Sequence, residues 1–484
     1  MPGRGRALSV AGNHPRAITP PAEPSPAPSR PARSWQAGTL TYTTGGLVGL
    51  FFWLLGGDFG FNLKERSVPV TLQVLLRQFH VSDMLTGFLL ATLPQLIILL
   101  VGPVVAYRSD RHRGKWGRRI PFLLVPTPVA VVSMVGLAYG PALGRWAHAA
   151  LGASSPGEGT CVVATLALFW ALFELSALVC NQVLISLITD VVPAPVIGRF
   201  FGLFRFVSLL AGILFSYFVL GHVEQHYTIV FLVIAAIYGV SFTAMCFKVK
   251  EGEYPPPPAP AVAPGTGLLV RGRQFVGGIR TYARDCFSEP YYRWFFASFA
   301  LTMMAGVPAN LFTLYFARSL DLSMATYGKL SAIQFVLSLA QAYPIGWLAD
   351  RFHPLRVTLF AVILILASNL LAFFLVRDAV SYGVAMVVCG SLWGFYYTAS
   401  SALPAALLAR SRFASLDSAK AMAGALGQMV IGPIVGWSLD LLHHEYRYMY
   451  LWAAGLALLA LVATLMVYRR FEQFGGTQHY VAPE

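Results

Sequence analysis

Long apolar stretches recur along almost the whole chain, and short polar segments separate them. Twelve are long enough to cross a hydrocarbon core of about 30 Å: residues 43–76, 84–107, 120–140, 160–190, 200–221, 227–247, 294–317, 330–349, 357–376, 380–409, 421–441 and 448–468. A backbone inside a bilayer must satisfy its own polar groups, so each stretch predicts a helix. Residues 1–40 are rich in Pro, Ala, Ser and Arg and hold no apolar core segment. They predict a disordered basic tail without a cleavable leader. The rhythm breaks once more at 248–293, where Tyr254 and four prolines, Pro255 to Pro258, precede Arg271, Arg273, Arg280 and Arg284. This is the composition of a polar linker. It divides the chain into two six-helix bundles, 41–247 and 294–468, with 469–484 as a closing tail.

Composition agrees with an all-α membrane protein. Of 484 residues, 56% are hydrophobic and only 12% charged, about half the charged share of a soluble domain. The mean hydropathy is +0.63. A soluble enzyme, a disordered scaffold and a fibrous protein are excluded. The net charge of +14 is explained by topology rather than by nucleic acid. With both termini placed in the cytoplasm, inner segments hold 26 of the 35 Lys and Arg residues and outer loops hold 6. That asymmetry follows the positive-inside rule and predicts an even helix number in the cell membrane. The five cysteines are scattered and form no ligand cluster. No phosphate loop or nucleophile motif is present, so neither cofactor, metal nor enzymatic chemistry is expected.

An internal echo marks two parallel repeats. The second apolar stretch runs into Asp110-Arg111, with basic residues through Arg119, and the eighth ends in Asp350-Arg351, followed by Arg356. Both pairs sit at the second helix of a half, which suits conformational latches on the inner side. The pattern resembles the loop motif of the major facilitator superfamily.

Ionisable residues within a bilayer are costly and mark functional sites. Here they concentrate in the first half. Asp58, Asn62 and Glu65 share one helical face, as do Glu174 and Asn181, and Arg205, Ser208, Gly212 and Ser216 form a stripe. Three polar stripes suit a water-filled cavity. A structural Asp58–Arg205 ion pair is the alternative, and Lys64, Glu65 and Arg66 also fit a place at the outer interface. In the second half Trp393 and Tyr397 suit either stacking on a sugar ring or bundle packing. His443-His444-Glu445 reads as a solvated outer loop.

Residues 103–122, with their Arg-rich loop, Trp116-Gly117, Arg118-Arg119 and Pro121-Phe122, resemble the corresponding loop of the glycoside–pentoside–hexuronide:cation symporters and of the plant sucrose–proton symporters. Leu55 to Phe59 and Phe204 to Gly212 are similar to two segments of the bacterial melibiose permease whose aspartate and arginine contact sugar. The resemblance implies that Asp58 and Arg205 hold a glycoside, with Asn62 and Asn181 lining the site. Glu174, sixteen residues before Asp190, resembles the helix 4 acid that carries the coupling proton in the sucrose symporters. Two acids that help bind sodium in melibiose permease are replaced here by Ile98 and Gly102, which implies proton rather than sodium coupling. The sequence therefore predicts proton-coupled sugar or glycoside symport by alternating access. The partners are a small-molecule substrate, a proton and the lipid bilayer. An exporter of another metabolite or drug, or a non-transporting pigment-handling or assembly factor, would share the fold.

Overall fold

The computed structural model describes residues 35–253 and 284–483. The predicted tail up to residue 34 and the Pro-rich and arginine-rich core of the linker, residues 254–283, lie outside the described residues. Among the described residues, eleven stretches are long and apolar enough to cross a membrane. One of them, Ala194–Lys248, has 55 residues. At 1.5 Å per residue it would measure about 80 Å, so it makes two crossings. The break falls at Leu220–His222, a single tight turn.

The twelve crossings are α1 (Thr44–Gln78), α2 (Asp83–Arg111), α3 (Ile120–Ala138), α4 (Glu158–Val191), α5 (Ile197–Leu214, extended by a wide turn, Phe215–Val219) and α6 (Val223–Lys248). The second half holds α7 (Pro290–Ser319), α8 (Met324–Phe352), α9 (Pro354–Leu375), α10 (Ala379–Ser400), α11 (Phe413–Leu441) and α12 (Tyr448–Gln473). Every predicted helix is present, with most ends displaced by a few residues; α8 begins six and α11 eight residues earlier than predicted, and in the tenth the window 380–409 splits into α10 and a short helix, Leu403–Leu407.

The tail is ordered closer to α1 than its composition predicts. Strands β1 (Trp35–Ala37) and β2 (Leu40–Tyr42) pair in an antiparallel hairpin turning at Gly38. The closing tail is docked as well. Tyr480 donates to the Leu407 carbonyl at 2.6 Å, and Tyr292 donates to the Pro483 carbonyl at 2.6 Å.

The two halves repeat one another in three dimensions. In the first, α1 packs on α5 and α6, α3 on α4 and α6, and α2 on α4; in the second, α7 packs on α11 and α12, α9 on α10 and α12, and α8 on α10. Two symmetry-related seams, α2 with α11 and α5 with α8, join the halves. At the first seam glycine meets glycine: a Cβ on Gly87 would strike the Gly432 backbone, and one on Gly436 would strike the carbonyl of Asp83. Small residues let membrane helices approach this closely.

An even number of crossings puts both ends and the linker on one face, here called the terminal face. Polar ties between the halves gather at the opposite, far face. Asp440 on α11 accepts from the backbone N–H groups of Asp83 and Met84, both at 2.9 Å. Asp83 in turn meets the His444 ring at 2.8 Å and accepts from the Tyr446 hydroxyl at 3.3 Å. Arg318 pairs with Glu224 at 3.0 Å, Arg77 donates to the Tyr315 carbonyl at 2.9 Å, and Tyr315 donates to the Gln73 carbonyl at 3.1 Å. Along α5 the far half is buried at Ser208, Leu209, Ala211, Gly212, Phe215 and Ser216, whereas Phe201, Leu203, Arg205 and Phe206 nearer the terminal face are exposed. The halves are thus closed at the far face and parted toward the terminal face.

Candidate functional site

A cavity of about 400 Å³ lies between the halves and is lined by α1, α5, α7, α8, α9, α10 and α12. This is within the usual range for a site holding a small organic ligand. The first half contributes Arg66, Arg205 and Ser216; the second contributes Asn310, Gln334, Asn369, Trp393 and Tyr397. The Trp393 and Tyr397 rings lie 5.8 Å apart on successive turns of α10. Trp393 can approach the centre because Gly306 on α7 leaves the space its indole occupies.

Of the predicted binding residues, Arg205, Trp393 and Tyr397 therefore line one cavity. Asp58 and Asn62 do not. Asp58 is fully buried within the first half, and its Oδ1 accepts from the Asn62 amide at 2.6 Å. Its Oδ2 is buried with no partner among the described residues. The alternative Asp58–Arg205 ion pair is likewise not formed among them. Asn181 is exposed on α4, outside the cavity lining.

Lys64, Glu65 and Arg66, which the sequence allowed at an interface, stand instead at the middle of the bundle. They lie near the middle of α1, whose observed span, Thr44–Gln78, differs little from the predicted window of 43–76. Lys64 is fully buried, and its ammonium contacts three aromatic faces, Phe61 at 4.0 Å, Phe173 at 5.0 Å and Tyr238 at 5.2 Å. Such a box favours a cation by its ring quadrupoles. The same ammonium pairs with Glu65 at 2.6 Å. Glu174 on α4 lies within electrostatic range of this pair. The buried Lys64 ammonium thus has one carboxylate in contact and a second, Glu174, within electrostatic range.

The two predicted latches differ. In the first half Asp110 pairs with Arg119 at 2.6 Å, and Asp190, at the end of α4, pairs with Arg118 at 2.8 Å and Arg119 at 3.2 Å. Glu251 accepts from three successive backbone N–H groups, those of Arg118, Arg119 and Ile120, at 2.9, 2.8 and 2.7 Å. An acid at a helix N-terminus is favourable on both charge and hydrogen-bonding grounds. Arg111 stacks on and donates to Tyr107. In the second half Asp350 has no ion-pair partner among the described residues, and Arg351 lies over the rings of Trp347 and Phe352, at 5.2 and 5.6 Å. Only the first copy of the motif is a closed network.

His443, His444 and Glu445 are all exposed, as a solvated loop expects, but His444 also makes a contact between the halves. Its ring bridges to Asp83 of the other half, and Asp83, Asp440 and His444 bring their ligand-type atoms within 4.8 Å of one another. Both Asp440 oxygens and both Asp83 oxygens are already engaged by donors, which makes this grouping a lock between halves. Sequence reading missed it because Asp83 and Asp440 are 357 positions apart.

Comparison with known proteins agrees with this geometry. A family profile described as "MFS/sugar transport protein" matches residues 56–411. Comparison with curated proteins gives no match. Among solved structures, the chain is similar to a nucleoside transporter, NupG, with 13% identity, a TM-score of 0.60, and coverage of 87% of this chain and 99% of that one. It is similar to a D-xylose-proton symporter with 14% identity, a TM-score of 0.60 and coverage of 87% and 97%. A bacterial homologue of the lysosomal transporter Spinster, inward-facing and unoccupied, shares 15% identity with a TM-score of 0.61 and coverage of 90% and 98%. At such identities the likeness is one of fold. Two pseudo-symmetric six-helix bundles around a central cavity, with the family match over most of the chain, make this protein a membrane transporter of the MFS/sugar transport family.

Proposed function

We propose that this transporter couples the movement of a sugar or glycoside to protons, by alternating access, with both termini in the cytoplasm of the cell whose plasma membrane it spans. The observation that carries the proton is the cluster of Lys64, Glu65 and Glu174 beside the cavity. When Glu174 is protonated, Lys64 is matched by Glu65 alone and the cluster is neutral. When Glu174 gives up its proton, two carboxylates compete for one ammonium, and the cluster gains a buried negative charge. Burying a net charge is costly, so reorientation favours the protonated, loaded form. The sugar is supported by the amides, hydroxyls and aromatic faces around the cavity, which match the hydroxyls and apolar faces of a pyranose ring. The family match and the fold it shares with a xylose–proton symporter lend weight to this choice. Arg205, Trp393 and Tyr397 contact substrate; Asp58, Asn62 and Asn181 support the helices around it. Asp110, Arg111, Asp350 and Arg351 act as latches at the cytoplasmic face.

The experiment is proton uptake by proteoliposomes on addition of a panel of monosaccharides and disaccharides, with and without sodium. Sugar-dependent alkalinisation outside, indifferent to sodium, is expected. Glu174→Gln should abolish uphill accumulation and leave sugar exchange down its gradient intact. Full accumulation by Glu174→Gln would remove the proton role, and silence toward all sugars would favour an exporter or an assembly factor.

A further inference from the structure

At the closed far face a titratable ring of one half meets a carboxylate of the other. The His444 Nδ1 stands 2.8 Å from Asp83 Oδ2 on α2 and 3.8 Å from Asp440 Oδ1 on α11. Its ring also stacks on Tyr446, 6.2 Å away, whose hydroxyl donates to Asp83 Oδ1. The Asp83 side chain is 2% exposed, whereas that of His444 is 55% exposed. Asp83 is therefore held inside the seam, while His444 meets the water of the far side. The loop is bent for this contact. His443 and His444 take φ of 52° and 61°, left-handed values that histidine adopts more readily than most side chains, and the chain turns back so that the His444 ring reaches α2.

The other charged groups around the lock are engaged elsewhere or stand in solvent. Arg77 on α1 lies over the Tyr446 ring at 6.0 Å and donates to the Tyr315 carbonyl of α7. Arg447 donates to the carbonyls of Phe373 and Phe374. His80, His443 and Glu445 are exposed, and their side chains make no hydrogen bond or ion pair among the described residues.

A neutral imidazole offers Asp83 one ordinary hydrogen bond, and leaves the Asp83 and Asp440 carboxylates facing each other across the seam. A protonated imidazole is a cation between those two anions, and its bond to Asp83 is charge-assisted. Opening of the far face carries Asp83 away with the first half, whereas Asp440 belongs to the same half as His444 and stays. The protonated ring thus loses one of its two carboxylates on opening, and the neutral ring loses a weaker contact. Protonation therefore adds to the closed side of the equilibrium and not to the open one. For a partly exposed pair the difference is a factor of roughly 1.5 to 5.

We infer that His444 is a proton-sensitive lock: acid in the compartment that the far face meets holds the two halves together there, and loss of the ring proton frees them. Histidine changes charge between about pH 5 and pH 8, so the device works near neutrality. It is independent of what the central cavity carries.

The test is double electron–electron resonance on the full-length protein in nanodiscs, with spin labels at Arg145 and Arg377, which are exposed beside the far face in the first and second halves. Between about pH 5.5 and about pH 8 the ratio of open to closed far face should rise roughly 1.5- to 5-fold. His444→Asn keeps an amide near the place of Nδ1, tolerates the positive φ and cannot titrate; it should flatten that rise with thermal stability retained. Asp83→Asn, which leaves the ring no carboxylate across the seam, should blunt it as well. His443→Asn, one residue away, should keep it in full. A rise undiminished in His444→Asn would overturn the inference, as would an open population that grows on acidification. Equal loss of the rise in His443→Asn would assign the effect to the loop rather than to this imidazole, and would overturn it too.

Discussion

Removal of the Asp440 carboxylate should open the far face. Asp440 sits on α11 of the second half, yet its two oxygens accept from the first backbone N–H groups of α2, those of Asp83 and Met84, both at 2.9 Å. It therefore supplies an anionic cap to a helix of the other half. Its side chain is 24% exposed, which limits screening by solvent. An anion at a helix N-terminus contributes about 0.3–1 kcal/mol at the surface and up to about 2 kcal/mol when partly buried, and loss of a side-chain cap costs about 0.5–2 kcal/mol. Only the closed far face makes this contact, so the whole loss falls on one side of the conformational equilibrium. A loss of about 1–2 kcal/mol shifts that equilibrium by roughly 5- to 30-fold. Asp440→Ala should show the full shift, and Asp440→Asn, which keeps one acceptor oxygen, a smaller one. Spin labels at Arg145 in the first half and Arg377 in the second, both exposed beside the far face, read the opening as a longer distance by double electron–electron resonance. Glu445→Gln, in the same loop but outside the contact, is the control and should not move the distribution. Identical distributions in wild type and Asp440→Ala, with unchanged thermal stability, would refute the reasoning.

Three further outcomes follow from the same structure. Gly432→Val should wedge the α2–α11 seam, because the new side chain meets Ala91 and Gly87. Overpacking of this kind costs about 1–3 kcal/mol, and the labelled pair should again report an opened far face. Asp110→Asn should slow transport in proteoliposome flux assays with little change in substrate affinity, since it breaks the pair with Arg119 on the terminal face; Asp350→Asn, with no ion pair to lose among the described residues, should have the smaller effect. His353 links stability to pH. Burial first, and then the neighbouring Arg356, hold its imidazole below the ordinary value of 6.5, and its Nδ1 accepts from the Leu355 N–H at 3.2 Å. The folded form therefore binds fewer protons than the unfolded chain, and stability should fall as the pH drops through about 6.5 toward the lowered folded value, then level off. His353→Asn tolerates the positive φ of 76° at this position and should flatten that dependence in a thermal-unfolding series.

What was legible in the sequence follows from what the bilayer enforces. Helix number, the division into halves and the repeat could be read because apolar length is dictated by membrane thickness, and because the Asp-Arg pairs recur at equivalent places. Arg205, Trp393 and Tyr397 could be placed at a cavity because a polar or aromatic residue in an apolar run has few other uses. Asp58 shows the limit of that argument. Helical periodicity puts it on one face with Asn62 and Glu65, but periodicity does not say which neighbour covers that face. Asp58 ends fully buried with one oxygen on Asn62, while Glu65, seven residues on, is exposed. Lys64 and Arg66 show the converse. Their charges argued for an interface, although the window 43–76 already placed them well inside α1 (Thr44–Gln78); the aromatic box of Phe61, Phe173 and Tyr238 and the rim of the cavity receive them there.

The distribution of charge between the halves bears on mechanism. Mid-membrane ionisable groups belong to α1, α4 and α5, whereas the second half lines the cavity with amides, aromatics and hydroxyls. If both halves carried charge into the cavity, each reorientation would have to part and remake ion pairs across the seam at low dielectric, where such pairs are strong. With the charges on one side, the Lys64–Glu65 pair, Glu174 and the two cavity arginines can move as part of a single rigid bundle. The second half then slides past them with neutral hydrogen bonds and ring faces. Ion pairs and charge-assisted contacts between halves are kept for the far-face rim, at Arg318–Glu224 and at Asp83, Asp440 and His444, where arriving water can solvate each partner as it leaves. The division keeps costly desolvation within one bundle and leaves the moving seam easy to break, which is the condition for a cycle whose barriers a bound ligand can control.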